Sequence, residues 1–304
     1  MVSAEIGISP SLIYISSTGV IGIPMPMERI RPSMQKLADG IGNSTIDDVA
    51  KTIMTTDTFP KLVHKRLKIG DKTGTISGIC KGSGMIAPNM ATMLCFILTD
   101  IAVEHKTLDT VLRIAVKKSF NRITIDGDMS TNDTVMMIAN GILGNKPVSL
   151  KSPYLEVLQN AVDGLAYELS SLVVKDGEGA TKFIEVVIKG AKNGSDAERA
   201  AFAVANSSLV KTAVYGNDAN WGRIFCAVGY SGITFKEEKT DIYFNKVMVV
   251  RNGIANNKDK EATETLKSKE IRITVDLHAG KASAKVLTCD LTEDYIRINA
   301  EYRT

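Results

Sequence analysis

Across residues 107–120, apolar Leu108, Val111, Leu112, Ala115 and Val116 recur at helical spacing, while Arg113, Lys117 and Lys118 lie off that stripe. The spacing predicts an amphipathic helix with one face packed on a sheet. Residues 154–172 repeat the pattern through Leu158, Ala161, Val162 and Leu165. Ser195, with Glu198 three residues on, reads as a capping box opening a helix through Ala203 and Val204. Strand patterns alternate with these helices. Residues 91–98 form a nearly continuous apolar run, which predicts a strand buried on both faces. Residues 183–188 are rich in β-branched side chains, and residues 271–277 alternate apolar positions with Arg272, Thr274 and Asp276. The interleaving lacks the regular strand–helix rhythm of a doubly wound sheet and shows no internal repeat, so the expected fold is a layered α+β sandwich. Lysine, glutamate and asparagine crowd into residues 235–240 and 252–270, which read as solvated loops.

Composition narrows the function classes. Of 304 residues, 44% are hydrophobic, enough for one large core or two modest ones. The 37 basic and 34 acidic residues are interspersed and leave a net charge of +3, so no basic stripe points to nucleic acid. Cys80, Cys95, Cys226 and Cys289 are scattered, and His64, His105 and His278 do not cluster near them, so no zinc site is expected. Residues 1–17 carry Glu5 and no basic n-region, and no apolar run is long enough to cross a bilayer. The expectation is a soluble cytoplasmic protein with reduced thiols, without membrane or nucleic-acid partners.

The most unusual segment is residues 81–94, KGSGMIAPNMATML, a glycine-rich loop running through a proline into an apolar strand. It lacks the Gly-Lys-Ser/Thr order of a phosphate-binding loop. A threonine at the start of a strand, such as Thr92, is by itself most often structural. The segment as a whole, however, resembles the self-cleavage site of the ornithine acetyltransferases. Further stretches match in order: STGVIG at 17–22, TTDTFPK at 55–61, SFNRIT at 119–124, STNDT at 130–134, GEGATK at 177–182, GNDANWGR at 216–223 and NAEYRT at 299–304. The match begins just before Ser17.

The resemblance implies an αββα-type sandwich similar to the N-terminal-nucleophile hydrolases. It implies cleavage between Ala91 and Thr92 into fragments 1–91 and 92–304, which together form one catalytic unit in an assembly of two of each. Thr92 would be the nucleophile, Thr18 and Gly19 the oxyanion hole, and Thr55, Lys81, Thr92, Glu178, Asn299 and Thr304 the substrate contacts. The implied reaction is acetyl transfer from N-acetylornithine to glutamate, with no metal or cofactor and with acetyl-CoA as a possible second donor. The chemistry is coherent, because a freed α-amine with an unperturbed pKa of about 7.7 to 8.0 can take the adjacent hydroxyl proton. A carboxylate and ammonium groups on the substrate call for one cation and one anion in the site, roles suited to Lys81 and Glu178.

Two other readings stay open on the residues: an amidase or aminopeptidase in which water is the acceptor, and a non-catalytic relative. The second draws on departures from the family pattern at Met129, Ala219, Lys281 and the Val286–Leu287 pair. The family also carries a segment upstream of the matched region. The corresponding expectation is a gene product that starts further upstream, or a form with an exposed sheet edge and an uncovered apolar face.

Overall fold

The computed structural model describes residues 1–87 and 93–301. Four short helices, Val2–Ile6 (α1), Met27–Ile30 (α2), Met34–Asp39 (α3) and Ile46–Thr52 (α4), precede the first strand. The last of them begins on a genuine capping box, in which Thr45 and Asp48 satisfy each other's backbone N–H groups.

A four-stranded sheet follows in spatial order β1-β2-β3-β4, from Lys61–Ile69 (β1), Lys72–Lys81 (β2), Leu94–Thr99 (β3) and Thr134–Ala139 (β4). The first three strands run antiparallel, and β4 pairs parallel with β3. Helices His105–Lys118 (α5) and Leu155–Lys175 (α6) pack against each other, and α6 lies on β1 and β2. Of the predicted helical stripes, Val111 and Ala115 in α5 and Leu158, Val162 and Leu165 in α6 are fully buried, while Leu108, Leu112, Val116 and Ala161 are half-buried against the same core; α6 also buries Leu169. Gly78 of β2 makes the close approach of α6 possible, since a Cβ there would stand 2.7 Å from side-chain atoms of both Leu165 and Leu169.

A second sheet of six strands has the order β10-β5-β9-β6-β7-β8. Its members are Phe183–Ala191 (β5), Asp241–Phe244 (β6), Val247–Arg251 (β7), Ile254–Ala255 (β8), Glu270–Asp276 (β9) and Ala282–Cys289 (β10). Helices Gly194–Ala205 (α7), Ser208–Tyr215 (α8) and Trp221–Gly229 (α9) form its helical layer, where fully buried Ala197, Ala200 and Ala201 let α7 sit close to β5 and β10. Helix Asp259–Leu266 (α10) lies between β8 and β9, and helix Glu293–Glu301 (α11) follows β10. Leu287 and Cys289 of β10 belong to the core of the first sheet, while Val286 belongs to the core of the second. Strand β10 therefore joins the two halves, and the layered α+β arrangement expected from the pattern is present.

Three local expectations are corrected. The cap of α7 is Asn193, whose side chain accepts the Asp196 N–H at 2.9 Å, two residues before the expected Ser195. Residues 252–270 are not a solvated loop, because α10 buries Ala262 and Leu266 completely. These two apolar residues, four apart, form a stripe too narrow to show against the surrounding lysines and glutamates. In β3, Cys95 and Ile97 are fully buried but Leu98 is 40% exposed. The helices cover one face of this sheet, and Leu98 with its register partner Ile138, 47% exposed, lies on the other. Residues 235–240 do form a loop, pinned by an edge-to-face contact between Phe235 and Phe225.

Candidate active site

Strand β2 ends at Lys81, and the glycine-rich loop that follows turns back toward the start of β1 and the end of α6. At β1, residues 55–58 form a tight turn around Asp57, whose carboxylate accepts N–H groups from Thr55 at 3.1 Å and Gly82 at 2.7 Å. Burial pushes the Asp57 carboxyl up, but the Gly82 N–H and the Lys61 ammonium outweigh it and hold the pKa below the usual carboxylate value. On the far side, the loop is tied to Asp126. That carboxylate accepts the Met85 N–H at 2.6 Å, the Ile86 N–H at 3.0 Å and the Tyr295 hydroxyl at 3.3 Å. Met85 is held in the left-handed region, at φ 55, a conformation a methionine adopts only where its surroundings impose it. Burial raises the Asp126 pKa against these hydrogen bonds.

Between these anchors lies a cavity of about 400 Å³. Thr18, Gly19, Thr55, Lys81, Glu178 and Asn299 all line it, although they come from five separate stretches of chain. Ala91, Thr92 and Thr304 lie outside the described residues.

The charged groups divide the cavity. Lys81 is 2% exposed, and among the described residues its Nζ makes one hydrogen bond, to Thr55 Oγ1 at 3.1 Å. Burial lowers its pKa and the nearby Asp57 charge opposes that shift. An ammonium with three donors and one acceptor in a buried position calls for an anion. Across the cavity, the Glu178 N–H donates to Ser83 O at 2.8 Å and Glu178 Oε2 accepts from Asn299 Nδ2 at 2.9 Å. Asp126 and Asp128 line the same region, so one cationic point faces an acidic wall. The arrangement suits a small zwitterion that carries a second amine.

Asp133 bears on the same chemistry and has no place among the sequence-derived candidates. Its Oδ1 accepts the Met93 N–H at 2.7 Å, and its buried Oδ2 has no hydrogen-bond partner among the described residues. Burial raises its pKa to about 6, against the Met93 N–H and the Lys81 charge. Asp133 falls inside the matched STNDT stretch at 130–134 and Asp126 just before it, but a segment this rich in Asp, Gly, Ser and Asn also describes an ordinary turn and neither residue was assigned a role. No group of three or more His, Cys, Asp or Glu side chains among the described residues is placed to hold a metal, and no helix of the described residues is long and apolar enough to cross a membrane.

The sequence and the fold are both similar to those of known proteins. The model of the ArgJ family matches residues 1–304, so the match extends upstream of Ser17, further than the motifs alone indicate. The arginine biosynthesis bifunctional protein ArgJ of Geobacter sulfurreducens is 52% identical over 306 residues, covering 100% of this chain and 78% of the relative. The glutamate N-acetyltransferase of Methanocaldococcus jannaschii is 47% identical over 317 residues, with the same coverage of 100% and 78%. The crystal structure of a Bacillus halodurans arginine biosynthesis bifunctional protein ArgJ superposes with a TM-score of 0.65 at 40% identity. It covers 68% of this chain and 98% of its own.

Proposed function

The chain belongs to the ArgJ family, and from that premise we propose that it is a cytoplasmic arginine-biosynthesis enzyme that transfers an acetyl group from N-acetylornithine to glutamate. The observation that carries this reading is the buried Lys81 ammonium, with one hydrogen-bond acceptor among the described residues, in a cavity also lined by Glu178 and its Asn299 partner. In this reading, Lys81 and Thr55 receive the substrate carboxylate and Glu178 the substrate ammonium.

The nucleophile is Thr92, freed by self-cleavage. Its hydroxyl oxygen attacks the Ala91 carbonyl, the Ala91–Thr92 amide bond breaks, and water hydrolyses the resulting ester to give fragments 1–91 and 92–304. The liberated α-amine of Thr92 then takes the hydroxyl proton as Oγ attacks the acetyl carbonyl of N-acetylornithine. Thr18 and Gly19 hold the oxyanion, through a hydroxyl and a backbone N–H. The carbon–nitrogen bond breaks, the proton passes to the departing ornithine amine, and the glutamate amine collects the acetyl group by the reverse sequence. The cycle needs no cofactor. The fragments remain joined, two of each per assembly, and acetyl-CoA is a candidate second donor that fits the same acetyl-threonine.

The test combines the intact mass of the purified protein with an exchange assay. Two fragments dividing before Thr92, ornithine release that depends on glutamate, and ping-pong kinetics are expected. An uncut, inert chain would leave the non-catalytic reading, and release of acetate to water without an acceptor would favour the amidase.

A further inference from the structure

Lys61, the first residue of β1, is completely buried and lies between two equally buried carboxylates, Asp57 and Asp176. Its Nζ donates to Asp57 Oδ1 and to Asp176 Oδ2. Removing an ammonium and two carboxylates from water is costly, and such groups are tolerated only when each is paired and further hydrogen-bonded. Both conditions hold here. Asp57 also takes the Thr55 and Gly82 N–H groups, and Asp176 takes the Thr58 N–H on both oxygens, at 3.2 and 3.0 Å, together with the Thr58 hydroxyl.

The two carboxylates belong to different segments that lead into the cavity lining, Asp57 to the turn bearing Thr55 and Asp176 to the end of α6 just before Glu178. Asp57 sets the backbone on either side of the cation: Thr55 Oγ1 is the acceptor for Lys81 Nζ, and Gly82 directly follows Lys81. Asp176 caps the end of α6, two residues before Glu178. Glu178 is tied to the glycine-rich loop through its N–H to Ser83 O, and Ser83 Oγ in turn bonds Thr56 Oγ1 at 2.6 Å. A continuous hydrogen-bonded path therefore runs from Lys81 through Thr55, Asp57, Lys61 and Asp176 to the chain bearing Glu178. A neutral, well-packed set of side chains could fill the same volume, so burial by itself does not explain an ion triad at this point.

We propose that Lys61 is a positioning residue which, through the buried Asp57–Lys61–Asp176 triad, holds the cavity's cation, Lys81, in register with its anion, Glu178. This inference rests on the reading of Lys81 and Glu178 as the substrate-binding pair. Lys61 itself does not line the cavity. Its effect is on the distance and angle between two charges, a geometry in which small displacements carry large losses of rate and affinity.

The experiment compares the self-cleaved wild type with two variants. The first is Asp57→Asn/Lys61→Met/Asp176→Asn, which keeps an acceptor oxygen for Gly82 and Thr58 and fills the lysine volume. The second is Asp176→Asn alone, which loosens only the link to the Glu178 side. In folded triple variant, the KM for N-acetylornithine and the Kd for L-ornithine by calorimetry are expected to rise at least about 10-fold, with kcat within about threefold. The single variant is expected to move the same way by a smaller factor. Lys81→Met and Glu178→Gln serve as references. If the references leave KM and Kd unchanged, the reading of the cavity falls. If they raise both while a folded triad variant leaves both within twofold of wild type, the positioning role alone is overturned. Failure of both triad variants to fold would overturn it as well, by making the triad a folding element.

Discussion

An alanine methyl at position 84 would stand 2.3 Å from Glu178 Oε2, 2.5 Å from its Cδ and 2.8 Å from Oε1. Carbon and oxygen atoms approach no closer than about 3.3 Å without strain, so the carboxylate must move by about 1 Å. Gly84 is outside the left-handed region, and the atoms in the way are the far end of a flexible side chain, so the backbone accepts alanine. The moving carboxylate loses its 2.9 Å hydrogen bond from Asn299 Nδ2, while the Glu178 N–H keeps Ser83 O. A displacement of this size at a substrate charge is worth up to about 100-fold. Gly84→Ala is thus expected to lower kcat/KM for N-acetylornithine by about 10- to 100-fold, equivalent to about 1.4 to 2.7 kcal/mol. Steady-state kinetics on the purified protein, paired with thermal melting, provide the assay, with Tm expected to change by no more than about 4 °C. A folded Gly84→Ala protein with wild-type kcat/KM would refute the placement of Glu178 at the substrate.

Thr92→Ala is expected to abolish self-cleavage and Thr92→Ser to retain it at least in part, read by intact mass; normal processing of the alanine variant would remove Thr92 as the attacking group. Glu178→Gln should leave cleavage intact and raise KM by a factor equivalent to about 1.5 to 3 kcal/mol, the range for a hydrogen bond to a charged group. Loss of processing in that variant would show that Glu178 acts at the cut. Asp133 makes a pH-dependent prediction. Its folded pKa of about 6 lies above the ordinary carboxylate value, so its ionisation disfavours the native state and stability is lost as pH rises from about 4 to about 6. Asparagine does not titrate and keeps the acceptor for the Met93 N–H, so Asp133→Asn should gain stability relative to wild type by about 1 kcal/mol between pH 4 and pH 7.5, the full shift being cut by about half for solvent screening of a half-buried group, measured by urea denaturation. A difference that stays constant or shrinks over that interval would contradict the burial of an ionised Asp133.

How far the sequence determined this protein depends on the range over which each feature is encoded. Stripes such as Val111 and Ala115, or Leu158, Val162 and Leu165, are set by the helical period itself and were legible residue by residue. The strands at 183–191 and 270–276 were legible for the same reason, through β-branched content and alternation. The candidate site was legible only through motifs, since Thr18, Thr55, Lys81, Glu178 and Asn299 share no period and no local signal, and motif matching supplies types and positions without partners. Tertiary structure decided the rest. Lys61 enters the sequence reading only as the last residue of the TTDTFPK match at 55–61, without a partner, yet the fold buries it between Asp57 and Asp176, which is 115 residues away. Cys80 and Cys95 look scattered, yet the β2–β3 register sets them opposite each other as buried free thiols. Asn193 displaced Ser195 as the cap of α7 because the chain enters that helix two residues earlier than local pattern suggests. Period and propensity act over one or two turns of chain, whereas charge pairing, burial and the span of a cavity depend on which distant segments the two sheets bring together.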